Sequence, residues 1–404
     1  MKNISIITFH FVNNCGAMLQ CLAINEYVKK EGFSVQTIDY RPGYLRASYD
    51  AFPNPLYNWK VRLRETGENR GVLKYKHLIK AVVYSVRQWK NAVYKHKQNV
   101  EFGAYLKKKI HMTKRYNSFA ALKKDPPKSD YYICGSDQIW NISITDQILD
   151  EAYLLSFVKT TEGKKISYAA SVGQIESEEF YIELAQKTAD FYKVSFRELS
   201  CVNLYNNIGI KKAVSVCDPV FLFNADWWRK QEAVQNYNKG FILVYMLFQS
   251  KEIEDYLKDL QCSGIKIINI SPYRIGLQKF LPTDNCCTPD KFLWYIDNAE
   301  RVITNSFHAT AFSIIFNKQI TCFSNPKTGT RLKDLLNEMR MSNHLFYVNG
   351  RIDREQVETT VNNGELVPSA RSNCTTLPKQ EYRLAGWLYR SATALCQRCE
   401  PLFR

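Results

Sequence analysis

The sequence predicts an α/β protein built from two doubly wound, Rossmann-type domains. Three observations carry that reading. Short β-rich runs alternate with helical patterns along most of the chain, several runs end on polar segments, and 404 residues exceed what one core usually serves. Such alternation implies parallel strands with right-handed crossovers, whose carboxyl ends face the ligand crevice. A composition of 45% hydrophobic and 13% aromatic residues can bury the cores this requires.

In order, residues 4–9 read as a strand, Asn13-Asn14-Cys15-Gly16 as a turn, and residues 17–30 as a helix with apolar Leu19, Leu22, Ala23 and Val28. Gly32 stops that helix and residues 35–40 resume as a strand. The turn at the helix start presents free N–H groups, which suit an anion. A Tyr/Lys-rich helical insertion over about 42–128 follows, where Leu78, Val82, Val86, Trp89 and Val93 keep helical spacing. Pro126-Pro127 closes it. Tyr131–Cys134 is a buried strand running into Gly135-Ser136-Asp137-Gln138. Further strands are expected at 165–170, 194–196, 213–216, 241–248, 265–269, 301–304 and 320–323. The predicted domains are 1–225 and 226–378, with a helical segment at 379–404 that would return to the first domain.

The net charge is +16, and residues 60–128 alone hold 19 Lys/Arg against 4 acidic residues, a local balance of +15. Interleaved Tyr and Trp can signal nucleic acid, but no nucleic-acid motif accompanies them, so none is expected. The stretch suits an anionic membrane face or a lipid-diphosphate-linked sugar; equally, its lysines can serve solubility alone. Twelve scattered cysteines, with Cys396-x-x-Cys399 a lone pair, point to reduced thiols and to no bound metal. The amino terminus lacks a signal-peptide pattern, and the longest apolar run, 241–248, is far short of a membrane span. A cytoplasmic protein is expected, peripheral at most to the inner face of the membrane.

Four segments place polar residues just after apolar strands: 135–141, Ser195-Phe196-Arg197-Glu198, Cys217-Asp218-Pro219 and 304–310. His308 follows the strand Arg301–Thr304 and precedes a helix, and is either a packed or capping residue or an acid titrating near neutrality. Arg197 is either an anion grip or a partner of Glu198. Gly135 permits close backbone approach. Ser136 reads as a helix cap, and Asp137 as a cap or as a base or ligand for a hydroxyl. Asp218-Pro219 reads as shaping the interdomain connection.

With the opening Asn14-Cys15-Gly16-Ala17-Met18-Leu19-Gln20, the order of these segments resembles the polysaccharide pyruvyl transferase family. The resemblance runs from about residue 5 to about residue 340 and is most specific over 290–316. It implies a GT-B-like fold, two domains facing a cleft, and transfer of the enolpyruvyl group of phosphoenolpyruvate to sugar hydroxyls. His308 then matches the family's active-site histidine, as general acid or phosphate ligand, and Asp137 an acceptor ligand or base. Arg197 matches an arginine that grips the donor, while Asn14, Gly16, Gly135, Ser136, Asn305 and Ser306 line the site. Many members carry an arginine where this chain has Ser306, and Arg331 and Arg274 are candidates for the missing charge. The expected partner is a sugar or lipid-linked oligosaccharide; the expected donor is phosphoenolpyruvate, with no tightly bound cofactor. Two other readings stay open: a GT-B-like glycosyltransferase using a nucleotide sugar, and a non-catalytic carbohydrate-binding protein of envelope-polysaccharide assembly.

Overall fold

The computed structural model describes residues 1–363, except 53, 67–70, 90–91, 237–239, 272–275, 285, 325–328 and 349–351. The expected segment at 379–404 and Arg274 lie outside the described residues.

The first sheet contains β1 (Asn3–Ile7), β2 (Ser34–Tyr40), β3 (Met112–Tyr116), β4 (Tyr131–Cys134) and β5 (Lys164–Ser167), in the order β3-β2-β1-β4-β5. Every pairing is parallel. Isolated parallel bridges, Ile166 to Lys193 and Ala170 to Phe196, carry it on to the pair β6 (Val194–Phe196) and β7 (Ala213–Ser215). The second sheet holds β8 (Ile242–Tyr245), β9 (Ile267–Asn269), β10 (Arg301–Thr304), β11 (Gln319–Ser324) and β12 (Leu345–Tyr347), again parallel, in the order β12-β11-β10-β8-β9. Both sheets are doubly wound. β4, β8 and β10 are buried at every position, as strands covered by helices on both faces must be. No strand was expected at β3 or β12. Both are edge strands with partly exposed, mixed sequences, and edges carry little of the apolar signal that marks a central strand.

Helix α1 (Cys15–Lys30) follows β1. The insertion between β2 and β3 contains α2 (Pro55–Thr66), α3 (Gly71–Trp89) and α4 (Ala92–Lys109), and Met112–Tyr116 then returns to the sheet. Beyond it come α5 (Leu199–Asn207), α6 (Pro289–Asn298), α7 (Phe307–Ile315) and α8 (Thr330–Glu338). No α-helix forms between β4 and β5, so Ser136 and Asp137 cap none.

One hydrophobic cluster spans both sheets. Cys15, Met18, Leu19 and Leu22 of α1 join Phe292 and Tyr295 of α6 and Phe307 and Phe312 of α7. The fully buried Trp228 meets Phe312 edge-on at 4.8 Å and donates its indole N–H to Val220 O. Eight of the nine described cysteines are buried and none of the nine forms a disulfide. Among the described residues no helix is long and apolar enough to cross a membrane. Phe312→Ala should cost about 3–5 kcal/mol, because the ring is wholly buried and its loss leaves a cavity. Urea unfolding at neutral pH measures this.

Candidate active site

The carboxyl ends of several strands of the two sheets meet at one carboxylate, Asp218. It follows β7 and is 1% exposed. Its Oδ2 accepts from Arg197 Nη1 at 2.8 Å, just past β6, and lies 3.1 Å from Ser136 Oγ, just past β4. His308 Nε2, from the first turn of α7 beyond β10, stands 3.5 Å from the same oxygen. The other oxygen accepts the Val220 N–H at 3.1 Å. Burial pushes the Asp218 carboxyl upward, but His308 and Arg197 outweigh it and hold the group well below the usual carboxylate range.

Arg197 is itself enclosed. Its Nε donates to Glu198 Oε1 at 3.1 Å, and its guanidinium carbon lies 4.1 Å over the Phe307 ring. Burial disfavours its charge; Glu198 and Asp218 more than compensate. Ser171 Oγ donates to Glu198 Oε1 at 2.7 Å and orients that carboxylate. Arg331, on α8, is different. Burial and then Arg197 depress its pKa to about 10, and its Nε is sealed from water. Two donors here have no hydrogen-bond partner among the described residues, Arg197 Nη2 and Arg331 Nε, and His308 Nε2 has only the Asp218 oxygen at 3.5 Å.

Gly16 explains the placement of His308. A Cβ at that position would lie 2.3 Å from His308 Cγ and Nδ1, so the amino end of α1 packs directly on the imidazole. Asn14 caps this end, its Oδ1 accepting from Gly16 N at 3.0 Å and Ala17 N at 3.4 Å. The loops after β1 and β4 are tied together: Thr8 Oγ1 donates to Ser136 O at 2.8 Å and Gln20 Nε2 to Thr8 Oγ1 at 2.9 Å.

The remaining expected residues are placed as follows. Gly135 has φ +111° and packs so tightly on Tyr168 O that a Cβ would approach to 2.2 Å. Ser136 is fully buried, its hydroxyl shared between Ala169 O and Asp218, which makes it a support for the carboxylate. Asp137, at φ +71°, accepts the Gln138 N–H and lies in electrostatic reach of both arginines. The Asn305 side chain accepts from Leu247 N and donates to Phe248 O, pinning the loop after β8. Ser306 is the N-cap of α7, its Oγ accepting from Ala309 N at 3.4 Å. Sequence reasoning missed Asp218 as the centre, and also Glu338; it named Glu198 as a partner of Arg197, and the pair forms, buried. Burial, Asp334 and Glu198 push Glu338 up to about 7. Asp334, meanwhile, accepts from Ser200 Oγ at 2.8 Å, joining α8 to α5. Polar residues at a strand end were the available signal for Asp218, and the reading of Asp218-Pro219 as shaping the interdomain connection masked it. No group of three His, Cys, Asp or Glu able to hold a metal occurs among the described residues.

Residues 14–327 match the family model for polysaccharide pyruvyl transferase. The chain belongs to that family. Asn14, Gly16, Arg197, Asp218 and His308 all fall inside the matched span, and Arg331 lies just beyond it. The family makes this protein a transferase. No curated protein matches it. Among solved structures, the S. aureus MnaA–UDP co-structure aligns at TM-score 0.50 and 10% identity, covering 92% of this chain and 89% of that one. UDP-GlcNAc 2-epimerase from Neisseria meningitidis, bound to UDP-GlcNAc, aligns at TM-score 0.48 and 8% identity over 98% of this chain and 99% of that one. The epimerase from Rickettsia bellii gives 0.48 and 10% over 98% and 96%. These likenesses concern the fold, which is GT-B-like.

Asp218→Asn in this transferase should destabilise it by about 1–3 kcal/mol at neutral pH, because it leaves the buried Arg197 with Glu198 as its one remaining carboxylate partner. Asp218 is depressed in the folded state, so its stabilisation is full above the unfolded value of about 3.9 and is lost as pH falls below it. Urea titrations should therefore show the gap between wild type and variant narrowing from about pH 5 to about pH 2. Gly16→Ala should lower the thermal midpoint, although alanine is the better helix former by about 1 kcal/mol, because the methyl meets His308.

Proposed function

We propose that this chain transfers the enolpyruvyl group of phosphoenolpyruvate to two hydroxyls of a sugar, in a polysaccharide or lipid-linked precursor, giving a pyruvate ketal. The observation behind the reading is the pair of buried arginine donors left without partners beside His308. An unpaired buried donor costs about 1–3 kcal/mol, so Arg197 Nη2 and Arg331 Nε call for anionic oxygens. A compact phosphate-carboxylate donor supplies them. Arg331 takes the role of the arginine that many family members carry where this chain has Ser306, whose hydroxyl is committed to capping α7.

In this reading, His308 delivers a proton to the methylene carbon, which becomes the methyl of pyruvate. A first sugar hydroxyl attacks the adjacent carbon. Phosphate then departs with its C–O bond electrons, and the second hydroxyl closes the ketal. One of the two hydroxyl protons restores His308 and the other leaves with phosphate. Arg197 and Arg331 hold the donor's negative oxygens, and Asp218 holds Arg197 in place while facing the imidazole. Asp137 relays the second hydroxyl proton to the departing phosphate. Such chemistry belongs in the cytoplasm, where phosphoenolpyruvate is made.

Mass spectrometry of sugar acceptors incubated with phosphoenolpyruvate tests the reaction. A pyruvate-sized adduct with released phosphate is expected; transfer from a nucleotide sugar instead would overturn it. His308→Ala should lower the rate at least about a hundredfold. Arg331→Met should weaken donor binding by about 1.5–3 kcal/mol while leaving stability equal or higher, since burial and Arg197 both oppose its charge. Calorimetry against phosphoenolpyruvate and a melting curve separate those two effects.

A further inference from the structure

Helix α3 is built inside out for a helix of a soluble protein. It buries His77, Ala81 and Ser85, the last two completely. Its large apolar side chains face outward instead: Tyr75, Ile79, Val82, Val86 and Trp89 are all between 40% and 66% exposed. The steps between these positions alternate between four and three, so the side chains form one continuous stripe. Single exposed apolar residues are ordinary, but a contiguous row marks a contact surface. Phe52, also exposed, extends the row sideways against Trp89, with the rings 6.4 Å apart.

We infer that this stripe docks on an anionic lipid bilayer. Charge selects the occupant. Helix α3 carries four basic residues and no acidic one, and residues 60–128 as a whole hold +15. A second copy seated on the stripe would bring two such segments face to face, whereas acidic headgroups neutralise them while the acyl boundary receives Ile79, Val82 and Val86. An apolar stripe flanked by lysines, with an aromatic residue at the interface depth, is the pattern of a helix lying in the membrane plane. The docking neither requires nor uses the reaction proposed above.

Co-sedimentation of the full chain with vesicles of phosphatidylglycerol and phosphatidylcholine at about 3:7, against phosphatidylcholine alone, tests the inference. Partitioning should favour the anionic vesicles at least about tenfold and fall away near 0.5 M salt, where the screening length is only about 4 Å. Ile79→Asp with Val86→Asp should cut binding about tenfold or more with an unchanged thermal midpoint. The milder pair Lys76→Gln with Lys80→Gln should weaken binding to anionic vesicles alone, and it keeps the test valid if the acidic pair unfolds. Equal partitioning into both vesicles, or variants that bind like wild type, would overturn the inference. So would light scattering that shows a dimer dissolved by the Ile79/Val86 substitutions, because a second copy would then cover the stripe.

Discussion

A single buried carboxylate organises the centre of this molecule. Asp218 cannot stay ionised in a dry site without partners, because the desolvation of an isolated charge outweighs most of what folding gains elsewhere. Its partners come from the far ends of other strands: Ser136 from β4, Arg197 from β6 and His308 from β10. Keeping the charge therefore requires the loops of both sheets to arrive together. The shared apolar cluster of α1, α6 and α7 holds the two domains against each other, and the carboxylate sets where their polar ends meet.

The charges around that point do not cancel locally. Arg197 is balanced by Glu198 and Asp218, whereas Arg331 has no carboxylate hydrogen-bonded to it among the described residues and is depressed by its cationic neighbour. Each unsatisfied buried donor is a cost to the fold.

Much of the fold was legible because central parallel strands are continuous apolar runs: Tyr131–Cys134 and Arg301–Thr304 stand out by composition alone. The edge strands β3 and β12 did not, since half-exposed strands carry mixed sequences. The prominence of His308 came from its position at a strand end. The centrality of Asp218 was hidden because its partners lie far away in sequence, Ser136 82 positions distant, and Asp218-Pro219 on its own reads as shaping the interdomain connection. In α3 the spacing identified a helix with an apolar face. Spacing gives a face and not what lies opposite it, so the outward direction of that face follows only from how α2 and α3 pack together.

The contact between Gly16 and His308 reaches beyond this chain. An imidazole that touches a helix backbone leaves no volume for any side chain at the facing position. The two positions are thus one steric unit although most of the first and second sheets' sequence separates them. A sequence of this fold that places alanine or anything larger at the position of Gly16 must have moved its histidine, tilted its first helix, or given up the site. A single residue near the amino terminus therefore reports, by its size alone, whether the histidine at the other end of the site can stand where it stands here.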